Sequence, residues 1–479
     1  MAQLLAVLPE VLVASTALAV LLLDLVTDRK KALGYLSLLG LLAALGAVVN
    51  TYGVRSALFD GMFLIDGFSF FFKLTFLAVA LLVVLGSITY VVRSESQGEY
   101  YVLLLLATLG MMLVASAGDL ITLFIGIELA SISTYVLAGF RKDPQTTEAA
   151  AKYFIMGALS SALILFGISL IYGMTGTTSI YQIAYSLNLA ISQGGMAPVA
   201  YLAMVFLIAG FGFKMAAVPF HMWAPDTYQG APTTITAFLA AGSKKMGFAA
   251  AFKVFAIALV ALRVEWSLLF GILAAVTMTL GNVVALNQKN IKRMLAYSSI
   301  GHAGYILVGL ALLTPLGFAG GLLHVLTHAF MKGGAFLAVA LLSYAMVGED
   351  IEEYIGLGKR APVTAFALLI FLLSLIGIPP LAGFWSKFLL VTAALEVGGW
   401  AFWLAVLLVL NSAISLFYYA RIIKYMYMTK PEKELGRLEE PLPILAALVL
   451  AVLAIFAIGL APQTFIDLTI DAVGALYQL

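Results

Sequence analysis

Residues 211–226 read FGFKMAAVPFHMWAPD. They continue an apolar run that begins near residue 198, and they contain Lys214, then Pro219 and Pro225. Proline cannot continue a regular helix, so a helix that runs through this stretch ends soon after Lys214. The stretch therefore predicts a membrane helix that is broken next to a charged side chain.

The composition excludes a water-soluble fold. Of 479 residues, 63% are hydrophobic and 10% are charged, against about 45–50% and about 25% in soluble domains. The chain has no cysteine, which excludes disulfides, a thiolate metal site and a cysteine nucleophile. The formal net charge is +2, and without a basic block we expect no nucleic-acid partner. The sequence predicts a polytopic membrane protein.

Apolar runs of about 20 residues predict fourteen transmembrane helices in an all-α fold, with residues 1–479 as one transmembrane domain. We expect the N-terminal run to be a retained first helix, because it is long enough to span and follows no cationic segment. The predicted spans are 4–24, 31–53, 67–92, 100–117, 119–139, 149–173, 198–220, 231–259, 266–287, 293–313, 316–347, 361–395, 401–426 and 442–464.

The distribution of Lys and Arg predicts the sidedness. Sixteen of the 26 lie in or beside the odd-numbered connections, and two, Arg55 and Arg263, lie in the even-numbered ones. Cytoplasmic connections carry the excess of positive charge, so the odd-numbered connections are predicted to be cytoplasmic.

The remaining eight cationic residues are lysines within predicted spans: Lys73, Lys152, Lys214, Lys244, Lys245, Lys253, Lys332 and Lys387. For Lys73, Lys152 and Lys253, near span ends, we expect the side chain to reach the interface. Lys245 points about 100° away from Lys244, and the pattern does not decide which of the two faces inward.

A central set of titratable residues predicts a proton relay, because charges at bilayer depth are costly and mark ion or proton pathways. A salt bridge or polar contact between helices is the alternative for each of them. A zinc site is not expected, since two histidines four residues apart lack a further nearby ligand. The set comprises Glu128, Lys214, Lys244, His302, His328, Lys332 and Lys387.

A second break is predicted in the twelfth span, where Pro379, Pro380 and Gly383 precede Lys387. Lys387 follows Lys214 by 173 residues, and His302 follows Glu128 by 174. Interrupted helices at matching places in two halves indicate inverted repeats. We expect repeats at about 98–260 and 266–430.

Five motifs resemble the antiporter-like subunits of proton-pumping NADH–quinone oxidoreductase (respiratory complex I), and within them subunit N. The resemblance covers essentially the whole chain. The residues at 327–332, THAFMK, are more typical of other branches of the family, which leaves open a relative that uses a deazaflavin or ferredoxin donor. The motifs are residues 126–129, 148–154, 213–232, 296–302 and 377–388.

The resemblance implies a role for each residue. Glu128 and Lys214 correspond to a glutamate–lysine pair whose separation shifts the proton affinity of the lysine. Lys244 corresponds to the central relay lysine and Lys387 to the terminal, proton-exchanging lysine. His302 would connect the two halves, and His328 and Lys332 would be intermediate positions in the proton relay.

The resemblance also implies a translocase subunit that couples electron transfer from NADH to quinone to proton pumping, in a prokaryotic plasma membrane. The alternative is a cation/proton antiporter subunit that exchanges Na⁺ for H⁺. We expect no cofactor and no metal on this chain, so NADH, FMN, iron–sulfur clusters and quinone would bind to partner subunits. The expected partners are the other membrane and peripheral subunits of the complex and membrane lipid.

Overall fold

The computed structural model describes residues 6–93, 96–192, 197–431 and 436–477. The fold is all-α apart from a short antiparallel hairpin of β1 (Ser56–Leu58) and β2 (Phe63–Ile65), in which Ala57 lies opposite Leu64. The helices are α1 Leu8–Val26, α2 Lys31–Val49, α3 Gly67–Tyr90, α4 Gln97–Ser116, α5 Leu120–Ala138, α6 Pro144–Thr175, α7 Ile180–Ser192, α8 Ala197–Met215, α9 Trp223–Gly230, α10 Thr233–Phe238, α11 Lys244–Lys253, α12 Arg263–Leu286, α13 Ile291–Ala311, α14 Pro315–Tyr344, α15 Leu357–Arg360, α16 Pro362–Ile376, α17 Ala382–Val397, α18 Trp400–Tyr427, α19 Leu442–Leu460 and α20 Pro462–Gly474.

Twelve helices in the described ranges are long and apolar enough to cross a membrane, which agrees with a multi-pass membrane protein. The other two predicted spans, 231–259 and 361–395, are not among these twelve. Residues 233–258 are helical throughout but contain two π-helical turns, Leu239–Ser243 and Val254–Ala258. The twelfth span is divided between α16 and α17. The exact count of fourteen stays a prediction.

Both predicted helix breaks are present. Helix α8 ends at Met215, and the next residue, Ala216, has a positive φ of 53°. Helix α16 ends at Ile376 and is followed by Gly377, whose φ of +97° is the left-handed conformation that glycine adopts most readily. Each break ends a hydrogen-bonded ladder inside the bundle, so nearby carbonyl oxygens need other donors.

Helices α13 and α14 form the centre of the bundle, and both are almost wholly buried. By contrast, a third or less of the residues in the apolar windows of α1, α2 and α18 are buried, as in helices that contact lipid. Helices α12 and α13 approach very closely, because a Cβ at Gly281 would lie 2.3 Å from the backbone nitrogen of Gly301. Small residues allow such close contact between membrane helices.

Two identical backbone motifs occur 171 residues apart. Asp119 and Ser179 form an isolated antiparallel bridge, and so do Asn290 and Asp350. Asp119 caps α5 by accepting from the backbone N–H groups of the first turn, and Asn290 caps α13 in the same way. Equal spacing and equal roles favour an internal repeat; the repeat bounds 98–260 and 266–430 stay a prediction.

Candidate functional site

Glu128 on α5 and Lys214 on α8 form a loose ion pair. Their Oε1 and Nζ atoms are 3.9 Å apart, and the side chains are 25% and 5% exposed. Each has a closer neutral partner: the Ser161 hydroxyl donates to Glu128 Oε1 at 2.5 Å, and Lys214 Nζ donates to Ser131 Oγ at 2.8 Å. Because both charged groups already have other partners, a small movement can tighten or open the pair.

Lys244 and Lys245 both lie at the start of α11, directly after a π-helical turn, and both are buried. Lys244 Nζ donates to the Ser299 carbonyl oxygen at 2.7 Å and contacts the hydroxyl of the same residue at 3.3 Å. Lys245 Nζ lies 2.6 Å from His328 Nδ1. The two adjacent lysines therefore contact different helices, α13 and α14, and both face the interior.

Three histidines form a compact cluster between α13 and α14. His302 Nδ1 lies 3.0 Å from His324 Nε2, and the His302 and His328 ring centroids are 4.8 Å apart. His324 Nδ1 lies 2.9 Å from Ser386 Oγ on α17. The Nε2 atoms of His302 and His328 are buried without a hydrogen-bond partner among the described residues, so each has a free position for a proton donor or acceptor.

Lys332, one turn after His328 on α14, interacts with hydroxyl groups. Its Nζ donates to Ser298 Oγ at 2.7 Å and lies 3.5 Å from the Tyr419 hydroxyl. The Ser298 and Tyr419 hydroxyls are also hydrogen-bonded to each other. Lys332 thus has neutral partners that can both donate and accept.

Lys387 satisfies the carbonyl groups that the second helix break leaves open. Its Nζ donates to the Leu375 and Ile376 carbonyl oxygens at 3.0 and 2.8 Å and to Ser412 Oγ at 3.0 Å. The ammonium nitrogen also lies 4.9 Å from the centre of the Tyr305 ring. The break therefore creates the site that holds this lysine at bilayer depth.

The structure divides the predicted set into two groups. His302, His328, Lys332 and Lys387 lie on α13, α14 and α17, which contact one another, and Lys244 on α11 reaches α13 through its hydrogen bond to Ser299. Glu128 and Lys214 lie apart from them in the first half. Tyr135, whose ring is 4.6 Å from that of Tyr153, contacts Lys214 through its hydroxyl at 3.4 Å, and a Cβ on Gly247 of α11 would lie 2.9 Å from the Lys214 backbone. Helix α11 also packs against α5 and α8, so it contacts the helices of both groups.

Some partners in the site were not singled out from the sequence. Ser161 and Ser131 are hydroxyl residues in apolar helices, a pattern with no functional signal of its own. The contact between Lys245 and His328 depends on how α11 packs against α14. Within the described ranges, no group of three or more His, Asp or Glu side chains is arranged to hold a metal ion.

Two of the three expectations about lysines near span ends are wrong. Lys73 is 2% exposed and forms an ion pair with Glu10 on α1 at 2.8 Å. Lys253 is 1% exposed, and its Nζ donates to the Ala115 and Ala117 carbonyl oxygens at the end of α4. Both side chains are satisfied by neighbouring helices instead of the interface. Only Lys152, with a side chain that is 46% exposed, behaves as expected.

A charged cluster joins the two halves on the predicted cytoplasmic side. Asp226 on α9 accepts from Arg293 on α13 at 2.6 Å and from Lys152 on α6 at 3.0 Å. Partial burial by itself would raise the pKa of Asp226, but the hydrogen bonds from Arg293 and Lys152 outweigh it and hold the pKa below its ordinary value. The carboxylate is therefore charged at neutral pH and links α6, α9 and α13.

Comparison with known proteins gives consistent matches over the whole chain. The family model described as NADH:quinone oxidoreductase/Mrp antiporter, TM, matches residues 117–415. The F420H2 dehydrogenase subunit N of Methanosarcina mazei is 49% identical, over 97% of this chain and 97% of that protein. The NADH-quinone oxidoreductase subunit N of Trichlorobacter lovleyi is 44% identical, over 98% and 96%.

The fold is also similar to a solved membrane subunit. A chain of respiratory complex I from Thermus thermophilus, solved with bound aureothin, superposes with a TM-score of 0.81 at 34% identity. The match covers 97% of this chain and all of the other.

Proposed function

This chain belongs to the NADH:quinone oxidoreductase/Mrp antiporter transmembrane family and is similar to its subunits N, and we propose that it is the proton-translocating membrane subunit of a quinone oxidoreductase complex. The observation that carries the proposal is a set of buried side chains, namely Lys214, Lys244, His302, His328, Lys332 and Lys387. Such groups are costly in a membrane interior and are retained where protons or ions move.

In the first half, the proton-loading step rests on Glu128 and Lys214. At 3.9 Å and an effective dielectric constant of about 20, the attraction between the two charges is about 4 kcal/mol. Moving one proton against 100 mV takes about 2.3 kcal/mol. Opening or closing the Glu128–Lys214 pair therefore changes the free energy of a proton bound to Lys214 by more than the work of moving one proton against 100 mV.

From Lys214 the proton passes into the second half through groups that can release it again. Lys244 receives it, His302 and His328 carry it between helices, and Lys332 is an intermediate with hydroxyl partners. Lys387 exchanges it with the far side. The neutral partners of these groups support this assignment, because no carboxylate within 4 Å traps the proton on Lys332 or Lys387 in the described part of the chain.

Electron transfer takes place on partner subunits. Iron–sulfur clusters are held by cysteine thiolates, and this chain has no cysteine, so such clusters belong to other subunits of the complex. We propose NADH as the electron donor and quinone as the acceptor. The name of the Methanosarcina relative makes reduced F420 the second donor to test.

The test is to purify the native complex, reconstitute it in liposomes and follow internal pH after adding a donor and a soluble quinone. Proton movement that requires NADH or reduced F420, and proceeds without sodium, supports the proposal. Proton movement that requires sodium and no donor would establish the antiporter alternative. Mass spectrometry of the same preparation would show whether redox subunits accompany the chain.

We further propose that the two halves are inverted repeats that work as two linked half-units. The capped bridges at Asp119 and Asn290, 171 residues apart, support this arrangement. An odd number of helices per repeat would turn the second copy over relative to the first. Cysteines placed at the bridge partners Ser179 and Asp350, which are not buried, in this cysteine-free chain should then react with impermeant reagents from opposite sides; reaction of both from one side would contradict it.

A further inference from the structure

Lys245 has a feature that its neighbour Lys244 lacks, namely a direct contact with a titratable side chain. We propose that Lys245 is a further proton-transfer residue, and that it, and not Lys244, delivers the proton to the histidine cluster through His328. This inference rests on the proposed function. It adds a residue that connects the first half of the chain to the second.

The contacts of the two lysines support different roles. The closest partner of Lys244 is the Ser299 carbonyl oxygen at 2.7 Å, which accepts a hydrogen bond but cannot take up a proton and pass it on. The partner of Lys245 is the imidazole nitrogen Nδ1 of His328 at 2.6 Å. Imidazole both gains and releases protons, which makes it the usual side chain of proton shuttles.

The transfer can be written with every proton accounted for. An ammonium at Lys245 donates to Nδ1 of a neutral His328 that carries its own proton on Nε2. The N–H bond on the lysine breaks as the Nδ1–H bond forms, leaving a neutral amine and an imidazolium. The imidazolium then releases the proton on Nε2, and the histidine remains neutral with its proton on Nδ1.

His302 is the candidate acceptor for that second proton, and one of the two rings must turn to bring the Nε2 atoms within hydrogen-bond distance. His328 Nε2 and His302 Nε2 are both buried without a partner, on rings whose centroids are 4.8 Å apart. From His302 the contacts continue to His324 at 3.0 Å and to Ser386 at 2.9 Å. Ser386 lies beside Lys387 on α17, so the series leads from α11 in the first half to the broken helix of the second.

The matched experiment compares two buried lysines of the same helix in the intact complex. Lys245→Met removes the proton-carrying group while keeping the side-chain volume. Lys253→Met removes an ammonium group that donates to two backbone carbonyl oxygens and lies over the Phe68 ring, with no titratable partner in hydrogen-bond contact among the described residues. We expect donor-driven proton translocation to fall by about 10²-fold in Lys245→Met, the contribution typical of one positioned proton-transfer group. We expect Lys253→Met to translocate protons like the wild type once assembled.

A third variant separates proton transfer from a structural charge. Arginine keeps the positive charge but does not give up its proton in proteins. If Lys245 carries protons, Lys245→Arg assembles yet translocates as poorly as Lys245→Met. Restored translocation in Lys245→Arg would overturn the proposal.

The connection to His328 is tested by a double-mutant cycle. If Lys245 acts through His328, the double variant Lys245→Met with His328→Gln should translocate protons as fast as the slower of the two single variants. If the two residues act independently, the fold-losses of the single variants multiply in the double variant. Multiplying effects would contradict the proposed route. Should Lys245→Met fail to assemble, Lys245→Arg and His328→Gln give the same comparison.

The proposed function is tested separately with Lys387→Met. If Lys387→Met fails to translocate while Lys245→Met works normally, the role of Lys245 is refuted and the proposed function stands. If both variants translocate like the wild type, the proposed function itself is wrong.

Discussion

Replacing Glu128 with glutamine removes the negative charge next to Lys214 and leaves most other features of the site in place. Glutamine keeps an oxygen that can accept from Ser161, and it has nearly the volume of glutamate. The lost attraction is about 4 kcal/mol at the observed 3.9 Å and an effective dielectric constant of about 20. At about 1.4 kcal/mol per factor of ten, this amounts to about 10³-fold in the equilibrium for loading a proton beside Glu128.

The assay is donor-driven proton uptake into liposomes that contain the assembled complex, with electron transfer measured in parallel. We expect Glu128→Gln to lower proton translocation at least tenfold, since 10³-fold is large enough to make loading rate-limiting. The matched control is Glu148→Gln, which removes a carboxylate that is 68% exposed and 2.8 Å from Lys152. Exposed ion pairs contribute little because water and salt screen them, so this control should behave like the wild type.

Wild-type translocation in an assembled Glu128→Gln complex would refute the loading role of the pair. Equal losses in Glu128→Gln and Glu148→Gln would also refute it, because the effect would then follow from any lost carboxylate in this half.

Three further predictions concern stability. Gly281→Ala places a methyl group against the backbone of α13, so the melting midpoint of the complex should fall by an amount equivalent to about 1–3 kcal/mol; Gly46→Ala, with nothing within 4 Å, should leave it unchanged. Lys73→Met leaves Glu10 buried without its cation and should cost about 3–5 kcal/mol in a denaturation assay, whereas adding Glu10→Gln should recover most of the loss. Because the pKa of Asp226 is lowered in the fold, the stabilisation that its carboxylate provides is present above pH of about 4 and disappears as pH falls further. Asp226→Asn should therefore be less stable than the wild type at pH 7, by about 1 kcal/mol for the arginine pair, and this difference should vanish in a series of measurements at increasingly acidic pH.

The sequence was sufficient to predict the membrane class and the two helix breaks. The composition leaves too few charges to cover a soluble surface, and Pro219 and Pro380 cannot stand in a helix interior without interrupting its hydrogen-bonded ladder. The sequence also predicts that charges such as Glu128 and Lys387 mark a pathway, because insertion at that depth is costly in any fold, and this pathway stays a prediction.

Partners across helices could not be predicted in the same way. The expectation that Lys73 and Lys253 reach the interface followed from their positions near span ends, but Glu10 and the carbonyl oxygens of α4 satisfy them inside the bundle. The choice between Lys244 and Lys245 depends on the π-helical turn before them and on packing against α13 and α14. One sequence specifies the 100° between the two residues, but not which helices occupy the two directions.

In the proposed mechanism, redox energy moves protons along buried lysines to Lys387. The number of protons translocated per two electrons tests this most directly. The measurement compares wild-type and Lys387→Met complexes in liposomes, with the electron flow matched by adjusting the donor concentration. We predict a clearly lower ratio in Lys387→Met while the complex remains assembled and still reduces quinone. An unchanged ratio in the assembled variant would contradict the account.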